Sequence, residues 1–260
     1  LPSSRRDLVT LVQLRVAHVV HSLTMSPTPP DGTTDGRRRA AATRRRAREA
    51  EIIAATRALF DARGVRDAQI EDIATSVGIN RAIVYRHFTG KEELFALTLV
   101  SYLDELRDAL AAASESSATP PARLTAIVQA FVSYGVSHPA FVDCAQSLMR
   151  RTGDDLLDEI SESALFRLGR GISSSLAILS AALEAGIESG DFATSDDPTL
   201  MANLLYASGL GALQLARVGI LVKEAAPGIP TVGQISAEQV SAHLVASALA
   251  LAGSGTAGGL

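Results

Sequence analysis

Three features predict an all-α chain. Its apolar content of 47% is carried by Ala, Leu, Ile and Val, with only 4% aromatic residues and no Trp, a composition that packs as helices through aliphatic side chains. From Arg48 onward apolar residues recur at three- and four-residue steps, the period of a helix with one buried face. No β-branched run of period two is present, so strands are not needed.

The first helix carries Ile52, Ile53, Leu59 and Phe60 on its repeating positions and stops at Gly64, where a helix-ending glycine belongs. A short second helix follows with Ile70, Ile73, Ala74 and Val77 on one face, and Gly78 supplies the positive φ of a tight turn. Asn80 caps a third helix. There Val84 and Phe88 share one face, while Arg81, Ala82, Tyr85 and Arg86 point away from it. A long fourth helix opens with Thr89 and Glu92 at capping-box spacing and runs over 90–113 as a connector. Beyond a Ser, Thr and Pro break at Ser114–Pro121, helices are expected near 121–135, 138–150, 154–189, 198–218 and 237–252.

Residues 1–36 read as an extension and linker, with Met25 as the working start, and 254–260 as a disordered tail. A small N-terminal domain is expected over 37–95 and a larger helical domain over 96–253. The lone Cys144 reads as a small buried hydrophobe. No apolar stretch approaches the length of a membrane span, which points to a cytoplasmic protein without membrane partners.

The net charge of -4 conceals a division along the chain. From Arg37 to Ala113 there are 14 basic against 11 acidic residues, and from Ser114 to Leu260 there are 7 against 14. Arg37, Arg38, Arg39, Arg44, Arg45, Arg46 and Arg48 form a run without a single acid, suited to phosphate.

Two short helices joined by a glycine turn, the second with a polar outer face, form a helix-turn-helix whose second helix can enter the major groove. Arg81, at the start of that helix, has the planar fork that pairs with guanine O6 and N7 or holds a phosphate. Ala82 permits close approach, Tyr85 lies one turn on, and His87 and Lys91 flank the helix end as phosphate donors.

The run from Ile52 to Phe95 resembles the N-terminal domain of the TetR family of bacterial regulators. The family's F-x-x-x-G is Phe60 to Gly64, its I-A-x-x-V/A-G is Ile73 to Gly78, and its Y-x-H-F-x-x-K-E-x-L is Tyr85 to Leu94. The resemblance implies that Arg81, Ala82, Tyr85, Arg86, His87 and Lys91 contact DNA, with Asn80 in the capping place. Gln69 stands where a phosphate-touching Thr is usual, so that contact is in question, with Asp67 as an alternative cap. The family architecture further implies a homodimer on a double-stranded DNA operator, a small-molecule effector and repression as the mode of action. In the back half, small residues Ala202, Ala207, Gly209, Gly211 and Ala212 fit a helix–helix dimer contact or an internal core equally. Phe131, Tyr134, Phe141, Met149 and Leu176 are the candidate lining of an apolar effector pocket, alongside Leu148 and Leu179, with Tyr134, Gln146 and Arg150 as polar anchors.

An enzyme is the main competing class, and its parts are missing. The five histidines never take metal-ligand spacing, no G-x-S-x-G or phosphate-binding loop occurs, and Gly169-Arg170-Gly171 and Gly209-Leu210-Gly211 lack the third glycine of a dinucleotide site. No cofactor is expected. A helical interaction module without DNA affinity or ligand sensing, and an activator of the same fold, are the remaining alternatives.

Overall fold

The computed structural model describes residues 32–151, 156 and 158–253. Residues 1–31, which hold most of the expected extension with Met25, and residues 254–260, the expected tail, lie outside them. The chain forms two compact units. One holds the described residues up to Ser101 together with Ser147–Arg170, and the other holds Tyr102–Gln146 and Gly171 onward.

In the first unit, α1 spans Gly32–Arg63, α2 Ile70–Ser76, α3 Arg81–His87, and α4 starts at Lys91, leaving the unit after Ser101 and ending at Glu115. α1 begins inside the stretch read as linker, because Gly32 to Gly36 continue into the arginine run as helix. It stops where expected: Gly64, at φ +83°, donates its N–H to the Phe60 carbonyl at 2.8 Å. The core gathers Ile52, Phe60, Ile73, Val84, Phe88 and Leu94, all at most 2% exposed, and the Phe95 ring meets Phe60 edge-on at 4.7 Å. Each such side chain contributes roughly 1.5–3 kcal/mol on burial.

The start of α4 departs from the expected cap. Glu93, not Glu92, reaches back, accepting hydrogen bonds from the Thr89 N–H at 2.8 Å and from the Thr89 hydroxyl. The helix begins one residue later than a Thr89 cap with Glu at the third position requires, so the reaching carboxylate shifts by one. Glu93 is 5% exposed and accepts a third bond from the Ser161 hydroxyl at 2.6 Å. Burial pushes its carboxyl up, but the bonds from Ser161 and Thr89 outweigh that and hold it below the usual range. Glu92 and Glu159 both face Arg151, and Arg167 pairs with Glu49 of α1. These polar ties explain why Ser147–Arg170 belongs with the N-terminal helices. They also accompany a break at Ile160 and Ser161 in what the sequence presents as one helix over 154–189; the long helix, α7, is Glu162–Ser189.

The second unit contains the rest of α4, α5 (Pro120–Ser137), most of α6 (Pro139–Met149), α7 from Gly171, α8 (Pro198–Val218) and α9 (Ala237–Leu251). Asp197 caps α8 by accepting from the Thr199 N–H at 2.9 Å. A reciprocal Ser236–Gln239 capping box opens α9. α5 packs against α8 and α9, and Gly209 makes the first contact close: a Cβ there would sit 2.7 Å from Phe131 Cε1.

Between α8 and α9 the expectation of helix and short connector fails. β1 (Ile220–Ala226) and β2 (Ile229–Gln234) form an antiparallel hairpin, with Val222 opposite Val232, turning at Gly228 with φ +77°. Val222 is 82% and Val232 70% exposed, so the hairpin buries neither face. Alternation of apolar and polar residues arises where one face is buried, and here that condition is absent. Among the described residues, no helix is long and apolar enough to cross a membrane.

Candidate nucleic-acid interface

The site is built on α2, α3 and the turn between them. Gly78, at φ +70°, donates to the Thr75 carbonyl at 3.1 Å, and the Ile79 N–H reaches Ala74 at 2.9 Å. A side chain at Gly78 would occupy the left-handed region, which favours glycine. The Asn80 side chain accepts from the Ile83 N–H at 3.0 Å, so the residue acts as the expected cap of α3. Gln69 makes no side-chain cap bond to α2. Val84 and Phe88 anchor α3 in the core, which leaves Arg81, Ala82, Tyr85 and Arg86 on the exposed face.

Within that face Arg81 is already engaged. Its Nη1 donates to Glu71 Oε1 of α2 at 2.6 Å, its Nη2 lies 3.4 Å from the Tyr85 hydroxyl, and its guanidinium stands 5.3 Å from the Tyr85 ring centre. Hydrogen bonding to Tyr85 and the charge of Glu71 raise its affinity for its proton further, and the fork is held in one orientation. Glu71 is a residue that sequence reading overlooked, since an acid beside a DNA-facing helix suggests an ordinary solvated surface.

The arginine run and the end of α3 approach each other. His87 is half-buried, and its Nδ1 has no hydrogen-bond partner among the described residues. Burial first, then the neighbouring charges of Arg45 and Arg48, lower its pKa below the ordinary 6.5, against an opposing pull from Glu49. Arg44, Arg45 and Arg46 are exposed, whereas Arg48 is partly occupied by Glu51 at 2.8 Å. Lys91 stands with its Nζ 4.9 Å from the Phe95 ring centre. Cationic and hydrogen-bonding groups from α1, α3 and the start of α4 are thus gathered in this one unit.

The other unit holds an apolar cavity. This partly open cavity of about 40 Å³ is lined by Leu106, Leu110, Ile127, Phe131, Leu176 and Tyr206, among others. Two of the expected lining residues, Phe131 and Leu176, border it; Leu179, also singled out, joins them. Tyr134, Phe141 and Met149 are placed elsewhere. The Tyr134 hydroxyl donates to the Tyr102 carbonyl at 2.9 Å, Phe141 is fully buried in the core, and Met149 is 57% exposed and belongs to the first unit. Gln146, expected as an anchor, donates instead to the Leu210 carbonyl at 3.2 Å, and Arg150 is exposed. The small residues of α8 divide: Ala202 and Gly209 are buried internally, whereas Ala207 and Gly211 are exposed. Cys144 is buried, as expected.

A glycine-turned helix pair with a capped second helix, its polar face outward, has the arrangement of the helix-turn-helix class of DNA-binding domains. Residues 52–97 match the family described as bacterial regulatory proteins of the tetR family. The transcriptional repressor KstR2 of Rhodococcus jostii is 27% identical over 201 residues, covering 75% of this chain and 88% of that protein. Among solved structures, the ketosteroid transcriptional regulator KstR2 of Mycobacterium tuberculosis superposes with a TM-score of 0.52 at 24% identity, over 78% of this chain and 93% of that one. The regulator FadR of Bacillus subtilis, solved with stearoyl-CoA, gives 0.56 at 14% identity, over 77% and 97%. Residues 52–97 thus match the N-terminal domain of the tetR family, and the relative that matches over most of its length, at 27% identity, is a transcriptional repressor.

Proposed function

We propose that this regulator is a cytoplasmic repressor that binds a pseudo-palindromic operator as a homodimer and is released by a small apolar ligand held in the second unit. The observation carrying the DNA reading is the exposed row Arg81, Ala82, Tyr85 and Arg86 on a capped helix, with Arg45 and Arg48 beside His87. One seven-residue helix reads too few base pairs alone, and two-fold proteins match two-fold sites. Leu200, Leu204, Ala207, Gly211 and Leu215 form an exposed stripe along α8, which supports a helix–helix contact between two copies. The apolar lining of the cavity supports the ligand, which enters by widening a space of about 40 Å³, room for only a water or two as it stands. A ligand acts by binding the DNA-incompetent arrangement more tightly, with a typical coupling of about 5 to 150-fold that DNA must return on the ligand.

Selection of an operator from random DNA tests this reading. Arg81→Ala is then expected to cost roughly 1–3 kcal/mol at one base position and to relax the preference there, while Tyr85→Ala and Lys91→Ala weaken all sequences alike. Equal losses across every sequence for Arg81→Ala would place Arg81 on phosphate instead.

The His87 environment adds a pH signature. In the free protein its imidazole is held below the ordinary 6.5; a phosphate beside it favours the cation, so the complex takes up a proton. Operator affinity is therefore expected to rise as pH falls through the range below 6.5 and to level off below the free protein's own value. His87→Gln removes that rise, measured by anisotropy at constant ionic strength. A profile unchanged by the substitution would mean that His87 does not face phosphate.

A further inference from the structure

The cavity of the second unit carries one unmet polar group. Its Ser175 hydroxyl is committed, donating to the Gly171 carbonyl at 3.1 Å with Leu103 at 3.4 Å. Tyr206, on α8, is different. Its ring meets the edge of Phe131 at 5.9 Å, and its hydroxyl has no hydrogen-bond partner among the described residues. Burial alone pushes that hydroxyl far above the ordinary phenol range, with no neighbouring charge or bond contributing. Every other lining side chain except Ser175 is apolar or glycine, so the half-buried Tyr206 carries the one uncommitted hydroxyl among the lining residues. No charged side chain lines the space, so a carboxylate or ammonium inside it would lose its hydration without compensation.

We propose that Tyr206 determines effector specificity by donating its hydroxyl hydrogen to a single acceptor oxygen, a carbonyl for example, on a neutral and otherwise apolar ligand. This rests on the effector reading of the cavity and goes further by fixing the ligand's charge and its one polar contact. The Tyr206 residue escapes sequence reading because it is a lone aromatic among the small residues of α8.

A matched trio of probes tests the proposal on the full chain by calorimetric titration: acetophenone, its apolar counterpart ethylbenzene, and the anion benzoate. Acetophenone is expected to bind about fivefold more tightly than ethylbenzene, the effect of one added hydrogen bond, and more tightly than benzoate. In Tyr206→Phe the two neutral probes bind equally. That variant is expected to melt at or above the wild-type temperature, since the deleted hydroxyl has no partner in the unliganded protein. Equal binding of the neutral probes to the wild type, a preference that survives in Tyr206→Phe, or a stronger grip on benzoate would each overturn the role of Tyr206 while leaving the cavity a binding site. Failure of all three probes to bind would overturn both this proposal and the effector reading of the cavity.

Discussion

Leu204→Arg is expected to give a folded monomer whose affinity for a two-half-site operator falls by about 10²- to 10⁴-fold, the gain that linking two readers supplies without any new interaction. Leu204 is 52% exposed near the middle of the α8 stripe, so its replacement removes no packing within the chain, and any fall in melting temperature should reflect the lost association alone. A guanidinium at a two-fold contact would face its own copy, adding like-charge repulsion to the reduced apolar burial. Gly211, two turns along the stripe, has open space where a Cβ would stand, which is what close approach of a second helix needs. Sedimentation velocity reports the association state, and anisotropy on full and half operators separates avidity from damage to the reader itself. The half-site affinity should barely change. A variant that stays dimeric at micromolar concentration would put the interface elsewhere.

The second large effect concerns the arginine run. Replacing Arg44, Arg45, Arg46 and Arg48 with Ala is expected to reduce the slope of log K against log salt by about 0.9 for each phosphate that is no longer neutralised. If all four touch phosphate, the wild type's extra weakening between 50 and 200 mM salt amounts to about 10²-fold. Arg48 should contribute least, because its guanidinium already has Glu51 at 2.8 Å. The substitution also removes two charges that hold His87 low, so its titration should move upward in the free protein and the pH dependence of binding should weaken. An unchanged salt slope would show that the run stays clear of the duplex.

How far the sequence discloses these features follows from where burial acts. The helix-turn-helix was legible because Val84 and Phe88 are buried while Arg81 and Tyr85 are not, and such one-sided burial writes itself into spacing. The hairpin at 220–234 was not legible, since Val222 and Val232 are both exposed and no alternation results. Its clearest signal, the Pro227-Gly228 pair, marks a turn without saying what it joins. The capping residue of α4 was misplaced by one position because Glu92 and Glu93 are both acids, and only the packing of Ser161 decides which turns inward. In the cavity, Phe131 and Leu176 were reachable from composition and helix position. Tyr134 was assigned the wrong surroundings, because its hydroxyl finds a backbone carbonyl 32 residues away in the chain, a pairing that no local pattern encodes. The pairing of Arg81 with Glu71 spans two helices and is equally invisible to periodicity.

Because the arginine run is part of α1 rather than an extended tail, its reach is fixed by helical rise. The eleven steps from Arg37 to Arg48 cover roughly 17 Å at 1.5 Å per residue, less than half of what the same residues would span when stretched. With phosphates about 3.4 Å apart along a strand, that length matches about five of them, half a turn of duplex. Seven arginines are therefore more than one strand's phosphates can occupy over that distance, and the helix must either straddle both strands of a groove or leave some guanidiniums in water. The number of ions released when the protein lands is bounded by this ruler, not by the count of positive charges in the sequence.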